Sequence, residues 1–416
     1  MMTLTSCAPP ARRGTISTPF NLREIGRFRV LQALYDNAST SRLELVKATG
    51  LSRATVSALV ADLLEAGLVS EDNVPDPAES EGRKGGRPVQ PIALRASAAY
   101  AVGADIGHQH VRVAICDLRG TSVWERYRAH DVDRAPQETL DLVASLVLSG
   151  IQETGVAGRV VGMGVDIAAP VRQEDGSLEA MGIMPGWVDV QPGVELADRT
   201  GLTTTLANDA NAGALGERLY GAGRASKNLV YVRLSAGIGA GVVINGAPLL
   251  GGDGLAGEIG HVIVDPRGRI CRCGQRGCLE TVASPDAISR LLSDSWNEPV
   301  SVADVLSLVA SGNPGALRAV QDAAEQIGRV LATVVTILNP ELIVVGGELA
   351  QLGDLLFAPL QTSIRRHTYS ALTDRIRVTG GELGESAEVR GAAGLVLADA
   401  PRILADRSLT MSVART

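Results

Sequence analysis

Apolar side chains at Leu22, Ile25, Val30, Leu31 and Leu34 fall at helical spacing and predict a first helix over 21–37. Ser41 caps a second helix, with Glu44 at the capping-box position and Thr49-Gly50 at its end, where glycine is free to take positive φ. Ser52 caps a third, in which Val56, Leu59, Val60, Leu63 and Leu64 form a buried stripe and Gly67 is the stop. Short apolar runs at 68–70 and 89–94 then predict two wing strands. From Ala99 the period changes. Residues 100–107 are an apolar strand ending at Asp105 and Gly107, and 111–116 its hairpin partner. The design recurs at 229–234, which runs into Ser235-Ala236-Gly237 and returns at 242–244. Further buried strands are expected at 160–167 and 342–345, the second running into Gly346-Gly347. A strand, a glycine turn and a returning strand therefore occur twice, which predicts a duplicated α/β body with a cleft between its lobes.

The first part is a helix, a short turn with Gly50 and a second helix, the parts of a DNA-reading motif. An ordinary three-helix bundle is the plain alternative. Ser52, Arg53, Thr55 and Ser57 favour the sharper reading, since the first turns of the third helix are small or hydrogen-bonding and carry no acid to repel phosphate. Between the wing strands, Arg83, Lys84 and Arg87 lie in a Gly-rich segment where Gly-Arg-Pro can slide an arginine into a narrow minor groove. A flexible linker with scattered charge is the alternative there.

Composition narrows the class. Of 416 residues, 45% are apolar and 20% charged, so a packed globular protein is expected. Aromatics are only 3%, so the core is aliphatic and Ala/Gly-rich and base-stacking platforms are not expected. No apolar run reaches about 18 residues, and the N-terminal stretch lacks a secretory signal's apolar segment; a cytoplasmic protein with no membrane partner is expected. Five cysteines, three of them within eight residues, do not form a disulfide framework. Charge is uneven: residues 1–95 hold 12 Lys/Arg against 10 Asp/Glu, and the remainder 27 against 36. A mildly basic head on an acidic body points to nucleic acid for the head alone.

Asn208-Asp209-Ala210-Asn211-Ala212, Gly257-Glu258-Ile259-Gly260-His261 and the run from Cys271 to Glu280, CRCGQRGCLE, resemble the repressor, open-reading-frame and kinase (ROK) family over nearly the whole chain. The resemblance implies an actin/hexokinase-like (ribonuclease H-like) two-lobe body preceded by an all-α winged helix-turn-helix. The DNA-binding domain would span 18–95. The first lobe would be 98–209, completed by a C-terminal helix at 389–405, and the second 210–388. It also implies a transcriptional repressor of carbohydrate metabolism, controlled by a sugar in a kinase-like cleft. An ATP-dependent sugar kinase, possessing both functions in one variant of that reading, is the alternative.

Cys271, Cys273 and Cys278 with His261 are three thiolates and an imidazole, a closed set for structural zinc, and Gly274 and Gly277 let the loop turn. Free buried thiols are the alternative. In the family, residues matching Asn208, Asp209, Glu258, His261 and Glu280 hydrogen-bond sugar hydroxyls, and Asp209 matches the kinases' general base. Taken singly, Asn208 and Asp209 could cap a helix, and Glu258 could be a solvated loop acid. The phosphate turns depart from the kinase pattern. His108 and Gln109 stand where kinases hold Gly and Thr, and Ser235-Ala236-Gly237 lacks the Thr of Gly-Thr-Gly. Both changes argue against efficient phosphoryl transfer. The expected partners are operator DNA, a monosaccharide effector and further copies of the chain, as a homodimer or homotetramer.

Overall fold

The computed structural model describes residues 22–37, 39–71, 91–373 and 375–406. They fall into two compact units: the residues up to Arg95 together with those from Pro401, and Ala96–Ala400.

The first unit opens with α1 (Leu22–Asp36), α2 (Arg42–Thr49) and α3 (Arg53–Glu65), then β1 (Val69–Glu71) and β2 (Ile92–Leu94). The expected caps form. Ser41 and Glu44 make a reciprocal capping box, Gly50 turns the chain at φ 69°, and the Ser52 side chain accepts from the Thr55 amide. Val30, Leu31, Leu45, Val56, Val60 and Leu63 are fully buried. Leu22, expected on that face, is 90% exposed, because a first-turn residue has no preceding turn to pack with. The wing pairs antiparallel, Val69 opposite Leu94, and Thr40 bridges to Ile92 on its other edge.

The second unit holds two sheets of the same design. The first is built from β3 (Tyr100–Ile106), β4 (His110–Asp117), β5 (Ser122–Ala129), β6 (Val160–Ile167) and β7 (Thr204–Asn208), in the order β5-β4-β3-β6-β7. The hairpins β3–β4 and β4–β5 are antiparallel; β6 and β7 add parallel after crossovers through α4 (Pro136–Thr154) and α5 (Pro192–Thr200). After α6 (Asp209–Tyr220) come β8 (Leu229–Leu234), β9 (Ile238–Ile244) and β10 (Ala247–Pro248). A helical layer follows: α7 (Glu280–Ala283), α8 (Pro285–Trp296), α9 (Val302–Ala310) and α10 (Pro314–Leu338). Then come β11 (Leu342–Gly346), α11 (Asp354–His367), α12 (Ser370–Thr373) and β12 (Arg377–Gly380). The second sheet reads β10-β9-β8-β11-β12, again two antiparallel pairings followed by two parallel ones. The duplicated actin/hexokinase-like body is thereby realised. The last described elements are α13 (Ala387–Leu397) and α14 (Ala400–Ala405), which from Pro401 on belongs to the first unit.

Each sheet is covered by the helix that follows the other one. α6 leaves β7 yet packs on the second sheet, where a Cβ at Gly241 would lie 2.2 Å from the Ala210 carbonyl oxygen. α13 follows β12 yet packs on the first, where a Cβ at Gly103 would lie 2.0 Å from the Val389 carbonyl oxygen. The two helices cross at glycines, and a Cβ on Gly391 would sit 1.8 Å from the Ala212 carbonyl oxygen. Backbones this close require Gly and Ala, which accounts for the small-residue composition. Gly391→Ala is therefore expected to push α6 and α13 apart and to cost about 1–3 kcal/mol, read as a lower denaturant midpoint. An unchanged midpoint would show that the crossing relaxes freely. Among the described residues no helix is long and apolar enough to cross a membrane.

Candidate functional site

The head presents the N-terminal turns of α3. Ser52, Arg53, Ala54, Thr55 and Ser57 are exposed together, while Val56 turns inward. Ser52 Oγ lies 2.8 Å from Thr55 Oγ1, so part of the hydroxyl capacity here stabilises the helix start. Arg53 stands exposed at the first helical position. Arg83, Lys84 and Arg87 lie outside the described residues.

In the body, His261, Cys271, Cys273 and Cys278 bring one ligand atom each to within 4.8 Å of one another, a set that could hold a metal ion. Cys273 Sγ is 3.7 Å from Cys278 Sγ, and Cys271 Sγ is 3.6 Å from His261 Nδ1. The loop closes through its backbone: the Val264 and Asp265 amides both donate to the Gly277 carbonyl, and Ile263 bridges to Cys278. Gly277, at φ 74°, admits no side chain, since a Cβ would lie 1.6 Å from the Asp265 carbonyl oxygen. Burial pushes the Cys271 and Cys278 thiols up, so in the absence of a cation they hold their protons.

Beside this loop lies an open cleft. Asn208, Asp209, Glu258, His261 and Glu280, drawn from three separate stretches of chain, all line it. Asn208 is the N-cap of α6: its Oδ1 accepts from the Ala210 and Asn211 amides, and its Nδ2 donates to the Ala169 carbonyl at 3.3 Å. One amide N–H remains for a ligand. His261 directs Nδ1 toward the thiols, and its Nε2 lies 3.8 Å from Glu258 Oε2. Glu258 is pushed up to about 7 by burial, reinforced by the charges of Asp209 and Glu280.

Arg233 on the cleft wall and a buried set behind it were not anticipated. Asp209 Oδ2 is 2.9 Å from Nη1 of Arg233, whose Nε donates to Glu388 Oε1 at 3.0 Å; Tyr231 donates to that same oxygen at 2.8 Å. Burial opposes the Arg233 charge, but Asp209, Glu388 and Asp105 more than restore it. Asp166, fully buried, is pushed well up by burial and by the charges of Asp105, Glu388 and Asp209. The signal for these residues was a lone charge within an apolar strand, Arg233 in LVYVRL and Asp166 in VVGMGVDI.

The first phosphate turn is filled from within. His110 Nε2 is 2.9 Å from Asp105 Oδ2, and the ring stands where a Cβ on Gly107 would be, 2.2 Å from its Cε1. Burial works to raise the Asp105 carboxyl, yet the His110 hydrogen bond and charge, with Arg233, hold it below its ordinary value. His108 Nδ1 pairs with Asp133 at 2.7 Å.

Comparison with known proteins matches residues 101–399 to the ROK family and residues 27–70 to a winged helix-turn-helix DNA-binding model. The xylose repressor of Bacillus subtilis strain 168 is 27% identical over 379 residues, covering 90% of this chain and 96% of the relative. The glucokinase of Thermotoga maritima is 32% identical over 310 residues, covering 71% of this chain and 96% of its own. Among solved structures, a ROK family transcriptional regulator described as a homologue of the Escherichia coli MLC protein superposes with a TM-score of 0.77 at 26% identity. That match covers 95% of this chain and 100% of the regulator.

Proposed function

The chain belongs to the ROK family, and from that premise we propose that it is a DNA-binding transcriptional repressor of carbohydrate metabolism whose operator affinity is set by a monosaccharide in the body's cleft. The observation that carries this reading is the joining of two parts in one chain. A winged helix-turn-helix head precedes a body that keeps its hydroxyl-binding groups, while its phosphate turns are altered. The likeness to a repressor runs through the head as well as the body; the likeness to a glucokinase covers less of the chain.

Asp209, Glu258, His261 and Glu280 supply the carboxylates and imidazole that answer a ring of hydroxyls, and Asn208 adds an amide donor. The metal is zinc. Zn–S bonds of about 2.3 Å and Zn–N bonds of about 2.0–2.1 Å in a tetrahedron place sulfurs about 3.8 Å apart and sulfur and nitrogen about 3.5 Å apart. The separations of 3.7 and 3.6 Å fit that set. Zinc at Nδ1 would fix the His261 ring with Nε2 toward the cleft. Its role is structural, holding the loop that leads into Glu280.

The protein acts in the cytoplasm as a homodimer or homotetramer on a two-fold operator, because helix-turn-helix proteins match their symmetry to paired half-sites. Arg53 would reach bases or phosphates from α3, with Ser52, Thr55 and Ser57 beside it. Arg83, Lys84 and Arg87 would follow the adjacent backbone and minor groove. Arg53→Ala and Arg87→Ala are each expected to weaken operator binding by about 1–3 kcal/mol in a shift assay at fixed salt. Wild-type affinity in both variants would remove those roles. The reading as a whole is tested by titrating monosaccharides against the operator complex without ATP. Release by a sugar is expected; a response that requires ATP, or a phosphorylated sugar in the mixture, would restore the kinase reading.

A further inference from the structure

Asp105 in β3, Asp166 in β6, Asp209 at the start of α6 and Glu388 at the start of α13 reach one another's electrostatic field, and none is more than 8% exposed. Buried carboxylates repel one another, and such a group either takes up protons or gathers a cation. In clefts that transfer phosphoryl groups, divalent metal ions neutralise the charge. Here the chain supplies a guanidinium. Arg233 reaches Asp209 with Nη1 and Glu388 with Nε, and it shares the charge of Asp105. The planar fork reaches two carboxylates at once, and the acids around it keep the buried charge in place. It also ties together the first turns of the two helices that cross at Gly216 and Gly391.

What remains around it is acidic. Asp105 and Asp166 are buried against each other, and Asp166, pushed well up by burial and by the charge of Asp105, shares a side-chain hydrogen bond with it. With Arg233 in place, and His110 bonded to Asp105 beside it, a further cation would meet their repulsion. Without it, Asp105, Asp209 and Glu388 would become an oxygen set of the kind that hard divalent ions seek.

We propose that Arg233 is a built-in cation of this cleft, a positioning residue that holds Asp209 oriented and charge-balanced so that the protein recognises its sugar with neither a divalent metal nor a nucleotide. The proposal rests on the reading of the cleft as a sugar site. It further implies that Asp209, engaged by a guanidinium, serves as a hydroxyl acceptor and not as a base.

The test uses the full chain and Mn2+ as probe, followed by electron paramagnetic resonance, with zinc content and sugar-free operator binding as measures of folding. The wild type is expected to take up no Mn2+ in the cleft. Arg233→Ala is expected to bind one Mn2+ per chain at least roughly tenfold more tightly than the wild type, and Arg233→Ala with Asp105→Asn to lose it again. The sugar response of Arg233→Ala should disappear and return with Mn2+ or millimolar guanidinium. Arg233→Lys keeps the charge, so it should fold, bind no Mn2+ and respond to sugar without metal. Mn2+ bound as tightly by the wild type as by Arg233→Ala overturns the proposal. So does a full, cation-free sugar response in folded Arg233→Ala. If Arg233→Ala does not fold, a folded Arg233→Lys that takes up Mn2+ or has lost its response overturns it equally. Mn2+ uptake is read without sugar and judges Arg233 alone, whereas a wild type deaf to every sugar would defeat the sugar reading instead.

Discussion

Cys273→Ser is expected to strip the metal from the body and to lower its thermal midpoint. Cys273 is the exposed ligand of the four, and serine is nearly isosteric, so little packing is lost directly. What disappears is the thiolate 3.7 Å from Cys278 that completes the set. Structural zinc contributes about 10–16 kcal/mol in small peptides that fold only around it. The loop here is anchored on both sides, by the antiparallel bridge between Ile263 and Cys278 and by α7, so the loss will be smaller. A loss of roughly 3–5 kcal/mol would lower the midpoint by roughly 5–8 °C in a unit of this size. The damage should extend to the cleft, because Glu280 lies two residues beyond Cys278 and His261 is itself one of the four candidate ligands. Elemental analysis of freshly purified wild-type protein should find about one zinc per chain. Native protein without zinc would refute the assignment.

Asp209→Ala is expected to impair the sugar response while leaving sugar-free operator binding nearly intact. Hydrogen bonds to a charged group contribute about 1.5–3 kcal/mol, so sugar affinity should fall roughly ten- to hundredfold. A sugar changes operator affinity only through unequal affinity for two states of the protein. Asp209 stands at the first residue of α6, bonded to Arg233 on β8, and so connects the ligand to elements on which the two sheets pack. Operator release measured against sugar concentration for both proteins decides the matter. A variant that releases operator at wild-type sugar concentrations would take Asp209 out of the site. Loss of operator binding in the absence of sugar would mark the substitution as structural.

Much of this protein is legible one short stretch at a time. The capping box of Ser41 and Glu44, the left-handed Gly50, the strand at 160–167 and the first glycine-turn hairpin follow from neighbouring residues, and the structure places them where the pattern does; the second hairpin forms too, but its return strand begins at Ile238 and not at 242. The metal set is legible for the same reason. Three of its ligands lie within eight residues and the fourth ten residues upstream, so a single loop with two glycines is enough to gather them. The candidate sugar residues carried a family pattern, and one cleft collects all five, although the capping of α6 by Asn208 also realises the plainer role allowed for it.

The remainder depends on partners distant in the chain. Within LVYVRL, Arg233 could as well have faced solvent; its meaning comes from Glu388, 155 residues away, and from Asp209 and Asp105 on other elements. His110 lies one residue before the strand expected at 111–116, and nothing in its neighbours places its ring against Asp105 and over Gly107. Nothing local states that α6 and α13 each cover the other's sheet, because close backbone approach at Gly216 and Gly391 belongs to the crossing and not to either helix. By itself the sequence determined the elements, their caps and the metal loop, since these rest on backbone preference and short-range geometry. Only the tertiary structure decided which charges are buried together, because burial and dielectric surroundings are properties of the packed whole.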